Sequence, residues 1–389
     1  MPVSNEVIAY FDNAATSFPK PECVYRLADE FYRKCGVNVG RGQHPLASKA
    51  AALLEDTRDK LLDLYSCRNK QVVISASATE AINKIVFGLD LPPFSTVYIS
   101  PFEHNSVTRV IHALQRDKQI EIKTLRFDQH TLLFDLNETK KDFQNHKPEL
   151  VVATHASNVC GAVLPVDTVF SLAKEFQATT VVDMSQTSGL LELDLASNDI
   201  DYAVFAGHKS LLAPLGIGGF ICGKKAQLKP LLFGGTGSQS IDQEPPELLK
   251  ECMEIGSPNI YAIAGLNAAL DWIIDKGFKS IQDDEKDRTK RLLDILRSHD
   301  NITIIADRMK CERIGVVSAL FDNYSPDEIG FSLNERGIAT RTGLHCSPYA
   351  HSFLKTSPNG SVRFSVSCLT DYNYFAILED ALQAIEEAG

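Results

Sequence analysis

The sequence predicts an α/β protein, a large domain with a mostly parallel central sheet followed by a smaller α+β C-terminal domain. Three observations lead there. Short apolar or β-branched runs alternate with stretches of helical periodicity through most of the chain. At 389 residues, the chain is too long for one small core and suits a large domain with a companion. Near Lys276 the texture shifts to a charged helix followed by further strands and helices.

The strands of the first part are expected at Val72–Ser75, Thr96–Ser100, Glu121–Phe127, Leu150–Thr154, Thr180–Asp183, Ala203–Phe205 and Ile217–Cys222. Between them, apolar positions recur at helical spacing over Pro21–Lys34, Ala47–Tyr65, Thr79–Leu89, Asn105–Arg116, Val166–Phe176 and Ile260–Lys276. The second part reads as helix Ile281–Arg297, strands Ile302–Ile305 and Val316–Phe321, and helix Pro326–Arg336. Strand Val362–Val366 and helix Tyr372–Glu387 complete it. The expected divisions are an N-terminal segment 1–20 packing on the small domain, a large domain 21–275 and a small domain 276–389, with no internal repeat or low-complexity linker.

Composition narrows the function. Lys and Arg number 39 against 50 Asp and Glu, and no basic run is interleaved with aromatics, which argues against a nucleic-acid surface. No segment has the length and apolarity of a membrane span, and the N-terminus has no basic stretch leading into an apolar one, so a cytoplasmic protein is expected. The nine cysteines are scattered singly, without a C-x-x-C pair or zinc-finger histidines. They read as buried small hydrophobes unless their neighbours say otherwise, and no metal site is expected.

Chemistry concentrates at the predicted strand ends. Ala206-Gly207-His208-Lys209-Ser210 follows a buried strand, where open α/β sheets place their ligands, so the Lys209 amine could reach a bound aldehyde. Alone, Lys209 would read as a solvated loop lysine. Asp183, directly after another apolar strand, could hold a pyridine nitrogen protonated and make the ring an electron sink, with Gln186 reaching the ring oxygen. Ser75-Ala76-Ser77-Ala78-Thr79 lies between a strand and a helix beginning near Thr79, so the helix-start amides and the Thr79 hydroxyl form a phosphate site. The competing reading of Thr79 is an ordinary helix cap. His104, after the next strand, could stack on an aromatic cofactor and exchange protons with substrate.

Together these residues resemble the class V aminotransferase-like family of pyridoxal 5′-phosphate (PLP) enzymes, and within it the cysteine desulfurase and selenocysteine lyase group. The resemblance runs from Tyr10-Phe11-Asp12-Asn13-Ala14-Ala15-Thr16 to the last helix and implies the PLP-dependent transferase fold type I. It implies Lys209 as the Schiff-base lysine, Asp183 as partner of the pyridine nitrogen, Gln186 at O3′, His104 as the stacking histidine, and Ala78, Thr79 and His208 at the phosphate. Ala206 departs from relatives that carry a serine there; one neutral hydrogen bond is worth only about 0.5–1.5 kcal/mol.

The resemblance also implies a homodimer with a shared active site, in which Ser257 of Glu254-Ile255-Gly256-Ser257-Pro258-Asn259 reaches the phosphate of the other subunit. Arg341-Thr342-Gly343-Leu344-His345-Cys346 looks like the compact loop whose cysteine attacks the substrate sulfur, with Arg341 and His345 placed to favour a thiolate. Arg363 matches an arginine whose planar fork suits an amino-acid carboxylate. Asn158 matches an asparagine beside the cofactor ring, and Arg41 and His44 an arginine-glycine-x-histidine segment at the substrate mouth. The implied activity converts L-cysteine to L-alanine, leaves the sulfur on Cys346 as a persulfide, and passes it to an acceptor protein. Selenocysteine lyase, or another class V aminotransferase or epimerase acting on a small amino acid, is the alternative.

Overall fold

A computed structural model describes residues 9–39, 42, 44–236, 241 and 243–388. The chain begins with β1 (Ala9–Tyr10), α1 (Glu22–Cys35) and α2 (Pro45–Leu64). The large sheet is then laid down by β2 (Lys70–Ser75), α3 (Ala78–Gly88), β3 (Thr96–Ile99), α4 (Asn105–Lys118), β4 (Glu121–Thr124), α5 (Leu136–Asn145), β5 (Pro148–Thr154), α6 (Val166–Glu175), β6 (Thr179–Asp183), β7 (Tyr202–Ala206) and β8 (Gly218–Gly223). Its seven strands run in the order β2-β8-β7-β6-β5-β3-β4.

Five of these strands, β7-β6-β5-β3-β4, pair in parallel, while β8 is antiparallel to both β7 and β2. Every residue of β7 is buried, and nearly every one of β5 and β6, as expected when helices cover both faces of a parallel sheet. Because β3, β5, β6 and β7 point the same way, the segments leaving their carboxyl ends emerge along one edge. Those segments carry His104, Asn158 and Lys209, and Asp183 is the last residue of β6 at the same edge.

After β8 come α7 (Leu249–Met253), α8 (Ile260–Lys276) and α9 (Phe278–Arg297). Gly277, at φ 77°, turns the chain from α8 into α9, a backbone angle that favours glycine. The remainder is β9 (Ile302–Ile304), β10 (Val316–Phe321), α10 (Pro326–Glu335), β11 (Ile338–Ala339), β12 (Arg341–Gly343), α11 (Pro348–Phe353), β13 (Ser361–Ser365) and α12 (Asn373–Ala388). Here β12-β13-β10-β9 form an antiparallel sheet, while β1 pairs in parallel with β11. Phe11, just past β1, is fully buried and meets Phe375 edge-on, so the first described residues belong to the core of this second sheet.

The expected fold class and the parallel sheet are present, with boundaries shifted by a few residues. Five elements were not anticipated by periodicity: α5, α7, α11 and the short strands β11 and β12, besides the two-residue β1. Only Thr139 and Phe143 of α5 are buried, too sparse an apolar set to mark a helix. The helix expected from Thr79 starts one residue earlier, and its cap is Ser77, whose Oγ accepts from the Glu80 amide at 3.1 Å. Among the described residues no helix is long and apolar enough to cross a membrane, and all nine cysteines are free.

Candidate active site

The strand-end cluster is built from β6 and β7. Asp183 closes β6, is 4% exposed, and accepts the Ser185 amide at 2.9 Å. Lys209 follows β7. Burial pushes its pKa down to about 8, with the guanidinium groups of Arg363 and Arg341 acting in the same direction and the Asp183 charge acting against it. A lysine tuned this way keeps a substantial neutral, nucleophilic fraction near neutral pH, whereas a solvated amine does not. The turn is pinned from the N-terminal segment: Thr16 Oγ1 and Ser17 N both donate to the His208 carbonyl, at 2.9 and 3.1 Å. Gln186 lies alongside, its side-chain Nε2 donating to Ala14 O at 3.0 Å while its backbone carbonyl accepts from Ser210 Oγ.

His104 caps α4 with its ring. Nδ1 accepts from the Ser106 amide at 3.0 Å, which leaves the proton of the neutral imidazole on Nε2. Burial, reinforced by the Lys209 charge, lowers its pKa to about 4, so the ring is neutral at physiological pH. The preceding residue was not anticipated from sequence. Glu103 is fully buried, takes Ser100 Oγ and the Thr154 amide on Oε1 at 2.5 and 2.6 Å, and has its pKa pushed up to about 8 by burial. Since Thr154 is paired in register with Asp183, this carboxyl ties the His104 turn to the Asp183 strand.

The start of α3 offers amides for an anion. Thr79 is exposed in the first turn, behind the Ser77 cap. The adjoining strand comes so close that a Cβ on Gly218 would lie 2.8 Å from the Ala78 nitrogen, which is why glycine stands there. His208 Nδ1 is buried without a hydrogen-bond partner among the described residues. Ser257 is exposed and lines, together with Ser75, Ala76 and Gly216, a cleft of about 730 Å³.

The second sheet supplies the other side of the cleft. Arg363 on β13 is 2% exposed; Nη2 donates to Asp12 Oδ1 at 2.8 Å and Nη1 to the Asn158 carbonyl at 3.0 Å, while Nε has no partner among the described residues. Arg341 sits opposite it in register on β12, half exposed and 4.0 Å from Asp12 Oδ2. Two guanidinium groups thus share one carboxylate and keep a net positive charge, which suits a carboxylate ligand. Asp12 is a further residue to which sequence reasoning gave no role, although it lies in the Tyr10–Thr16 segment that carried the resemblance.

Cys346 is exposed, the one cysteine that is, and its carbonyl accepts the Asn105 amide at 2.7 Å, placing it beside the His104 turn. Asn158 is 7% exposed and joins the same loop, with Nδ2 on His345 O and Oδ1 on Ser347 Oγ, each at 2.8 Å. The expectation that His345 favours a thiolate is corrected here. Its ring is buried against Ser361 and His351, and burial, with Arg363 adding to it, lowers its pKa to about 2, so it carries no charge to lend. Arg341 remains as a nearby cation.

The described hydrogen bonds of His44 stay within the α2 start, where Nδ1 accepts the Ala47 amide at 3.2 Å, and none joins it to the Lys209 cluster. Arg41 lies outside the described residues.

A strand-end lysine opposed by a buried aspartate, within reach of an arginine pair and an exposed cysteine, narrows the possible relatives. The profile of the family described as Aminotransferase class-V matches residues 9–374. The chain belongs to this family. A probable cysteine desulfurase of Pyrococcus abyssi is 30% identical to the class-V chain over all of it and 95% of the relative. Another from Aeropyrum pernix is 31% identical, covering 98% and 94% of the two. Among solved structures, the apo cysteine desulfurase of Thermococcus onnurineus superposes with a TM-score of 0.88 at 26% identity, covering 100% of this chain and 97% of the other.

The residues present fit PLP. A half-buried amine with a depressed pKa meets the aldehyde's need, and the buried Asp183 carboxylate meets the ring nitrogen's. The unpartnered His208 Nδ1 and the close backbone at the α3 start meet the needs of an acidic phosphate.

Proposed function

We propose that this class-V protein is a PLP-dependent cysteine desulfurase that converts L-cysteine to L-alanine and takes the sulfur on Cys346. The observation that carries the reading is the placement of an exposed thiol between the His104 turn and the Arg341–Arg363 pair, since an aminotransferase has no use for a cysteine there. Full-length likeness to proteins described as cysteine desulfurases supports it.

Lys209 would hold PLP, with Asp183 against the ring nitrogen, Gln186 near O3′, His104 over the ring, and Ala78, Thr79 and His208 at the phosphate. Ser257 of a second subunit would complete the phosphate site in a homodimer. PLP, when bound, supplies an electron sink for negative charge at the substrate α-carbon. Arg363, with Arg341, binds the substrate carboxylate through the planar fork and thereby fixes which Cα–H faces the lysine. The freed Lys209 amine takes that α-proton, and its depressed pKa keeps it able to do so near neutral pH. Neutral His104, with its proton on Nε2, can donate a hydrogen bond into the cleft without bringing a charge there.

Cys346 Sγ, as thiolate, then bonds to the substrate sulfur while the substrate carbon–sulfur bond breaks. The sulfur remains on the protein as a persulfide, the electron pair of the broken bond takes a proton at the former Cβ, and the α-proton held by Lys209 returns to Cα, which gives alanine. An acceptor protein would remove the persulfide sulfur.

Incubating the loaded protein with L-cysteine or L-selenocysteine, and following alanine by mass spectrometry with and without a 2-oxo acid, tests the reading. Alanine formed from cysteine without an oxo acid is the expected outcome. Amine transfer to the oxo acid, or alanine from selenocysteine alone, would overturn it.

A further inference from the structure

Cys346 occupies a backbone conformation that requires an explanation. His345 and Cys346 are both in the left-handed region, at φ 48° and 57°, and neither is a glycine. Two consecutive side-chain-bearing residues there are disfavoured by contacts between Cβ and the backbone, so the loop holds this shape only if its surroundings enforce it.

The enforcing contacts converge on one side chain. Asn158 Nδ2 donates to the His345 carbonyl and Asn158 Oδ1 accepts from Ser347 Oγ, each at 2.8 Å, so a single amide grips the chain on both sides of Cys346. The Asn105 amide holds the Cys346 carbonyl itself. Asn158 and Ser347 are both buried, so these bonds face little competition from water. The amide suits the task because it donates and accepts from one rigid plane. Its own backbone carbonyl accepts from Arg363 Nη1, which fixes Asn158 relative to the arginine that faces the substrate carboxylate.

We propose that Asn158 and Ser347 form a clamp that positions Cys346 for sulfur transfer, Asn158 acting on the thiol through the backbone of its loop. The inference rests on Cys346 being the sulfur acceptor. It gives Asn158 a duty toward the nucleophile in addition to the place beside the cofactor ring that its sequence context implied. Asn158→Asp replaces the donor facing His345 O with an oxygen, opposing two acceptors, and Ser347→Ala removes only the second bond.

The test uses the PLP-loaded full chain. Amide hydrogen exchange is followed by mass spectrometry on the peptides containing Asn105 and Ser347, whose amides donate to Cys346 O and Leu344 O. Asn158→Asp is expected to accelerate exchange of these amides by on the order of tenfold or more, the equivalent of losing a hydrogen bond in a buried site, and Ser347→Ala by a smaller factor. First-turnover sulfur transfer should fall in the same rank order, and Ser347→Thr, which keeps the hydroxyl, should restore it. Ser347→Ala should leave the KM for L-cysteine and the exchange of its α-proton with solvent deuterium at wild-type values. Unchanged loop exchange in both variants would overturn the clamp, as would a Ser347→Ala variant that loses α-proton exchange by the same factor as sulfur transfer. If wild-type protein formed no alanine from L-cysteine, the desulfurase reading would fall, while loop exchange would still decide the clamp.

Discussion

The two sides of the cleft are held by different means. On the large-sheet side, Asp183 and Lys209 follow directly from neighbouring strands, and their positions are set by the parallel register of β6 and β7. On the small-sheet side, Arg363 is likewise on a strand, but Cys346 rides on a loop of two left-handed residues fastened by hydrogen bonds from Asn158, Ser347 and Asn105. The lesson is a division of labour. On the proposed reading, the groups that would hold the cofactor are fixed by the sheet, and the group that would approach a substrate sulfur and afterwards present it elsewhere is fixed by a few breakable contacts.

The largest effect should separate the two sides outright. Lys209→Ala is expected to abolish turnover and the visible absorbance of the lysine-bound cofactor, whereas Cys346→Ser should keep the absorbance and lose sulfur transfer. A Lys209→Ala protein with unchanged absorbance, or a Cys346→Ser protein with undiminished sulfide release, would erase the distinction.

Next in size is Arg363→Lys. It replaces a planar fork by a point charge that does not reproduce the two directed bonds, one to Asp12 and one to the Asn158 carbonyl. A loss of roughly 2–4 kcal/mol in transition-state binding, or about 30- to 1000-fold in kcat/KM for L-cysteine, is expected, chiefly through KM if the fork binds the carboxylate. Steady-state kinetics with cysteine and with its carboxamide would check this, since the carboxamide should be indifferent to the change.

The large-sheet side also predicts a pH dependence. The Lys209 amine must be neutral to capture an aldehyde, and burial has brought its pKa down from 10.5 to about 8. The rate at which PLP reloads onto stripped protein, read by the growth of visible absorbance, should therefore rise with pH and level off above about 8. A rate still climbing towards 10.5 would mean that the lysine is solvated.

Smallest is a structural effect where the two sheets meet. Gly161 has φ 74°, and a Cβ there would lie 2.4 Å from the Val316 carbonyl oxygen. Gly161→Ala should lower stability by roughly 1–3 kcal/mol in denaturant unfolding, with both strained backbone and close contact contributing.

The same contrast explains what could be read from the sequence. Strand-end residues were legible because apolar runs such as Val181–Val182 and Ala203–Phe205 announce buried strands, and whatever follows them in a parallel sheet lines the ligand edge. The roles of Cys346 and Arg363 were found through a motif resemblance; the strand under Arg363 was legible, but the elements flanking Cys346 are too short for periodicity, β12 being three residues long and α11 six. His345 was misjudged because sequence shows its neighbour but not its burial. The roles of Asp12, Glu103 and Ser347 depend on partners distant in the chain, at Arg363, Thr154 and Asn158, and no local pattern encodes such pairings.

The central claim is that one cleft removes the α-proton with Lys209 and receives the sulfur on Cys346. It is tested most directly by mixing the PLP-loaded protein with L-cysteine in the absence of any thiol reductant, quenching after one turnover, and mapping peptides by mass spectrometry. The account predicts one sulfur atom added to the peptide carrying Cys346, matched by an equal amount of alanine. Alanine without added sulfur on that peptide, or added sulfur on another cysteine, would contradict it.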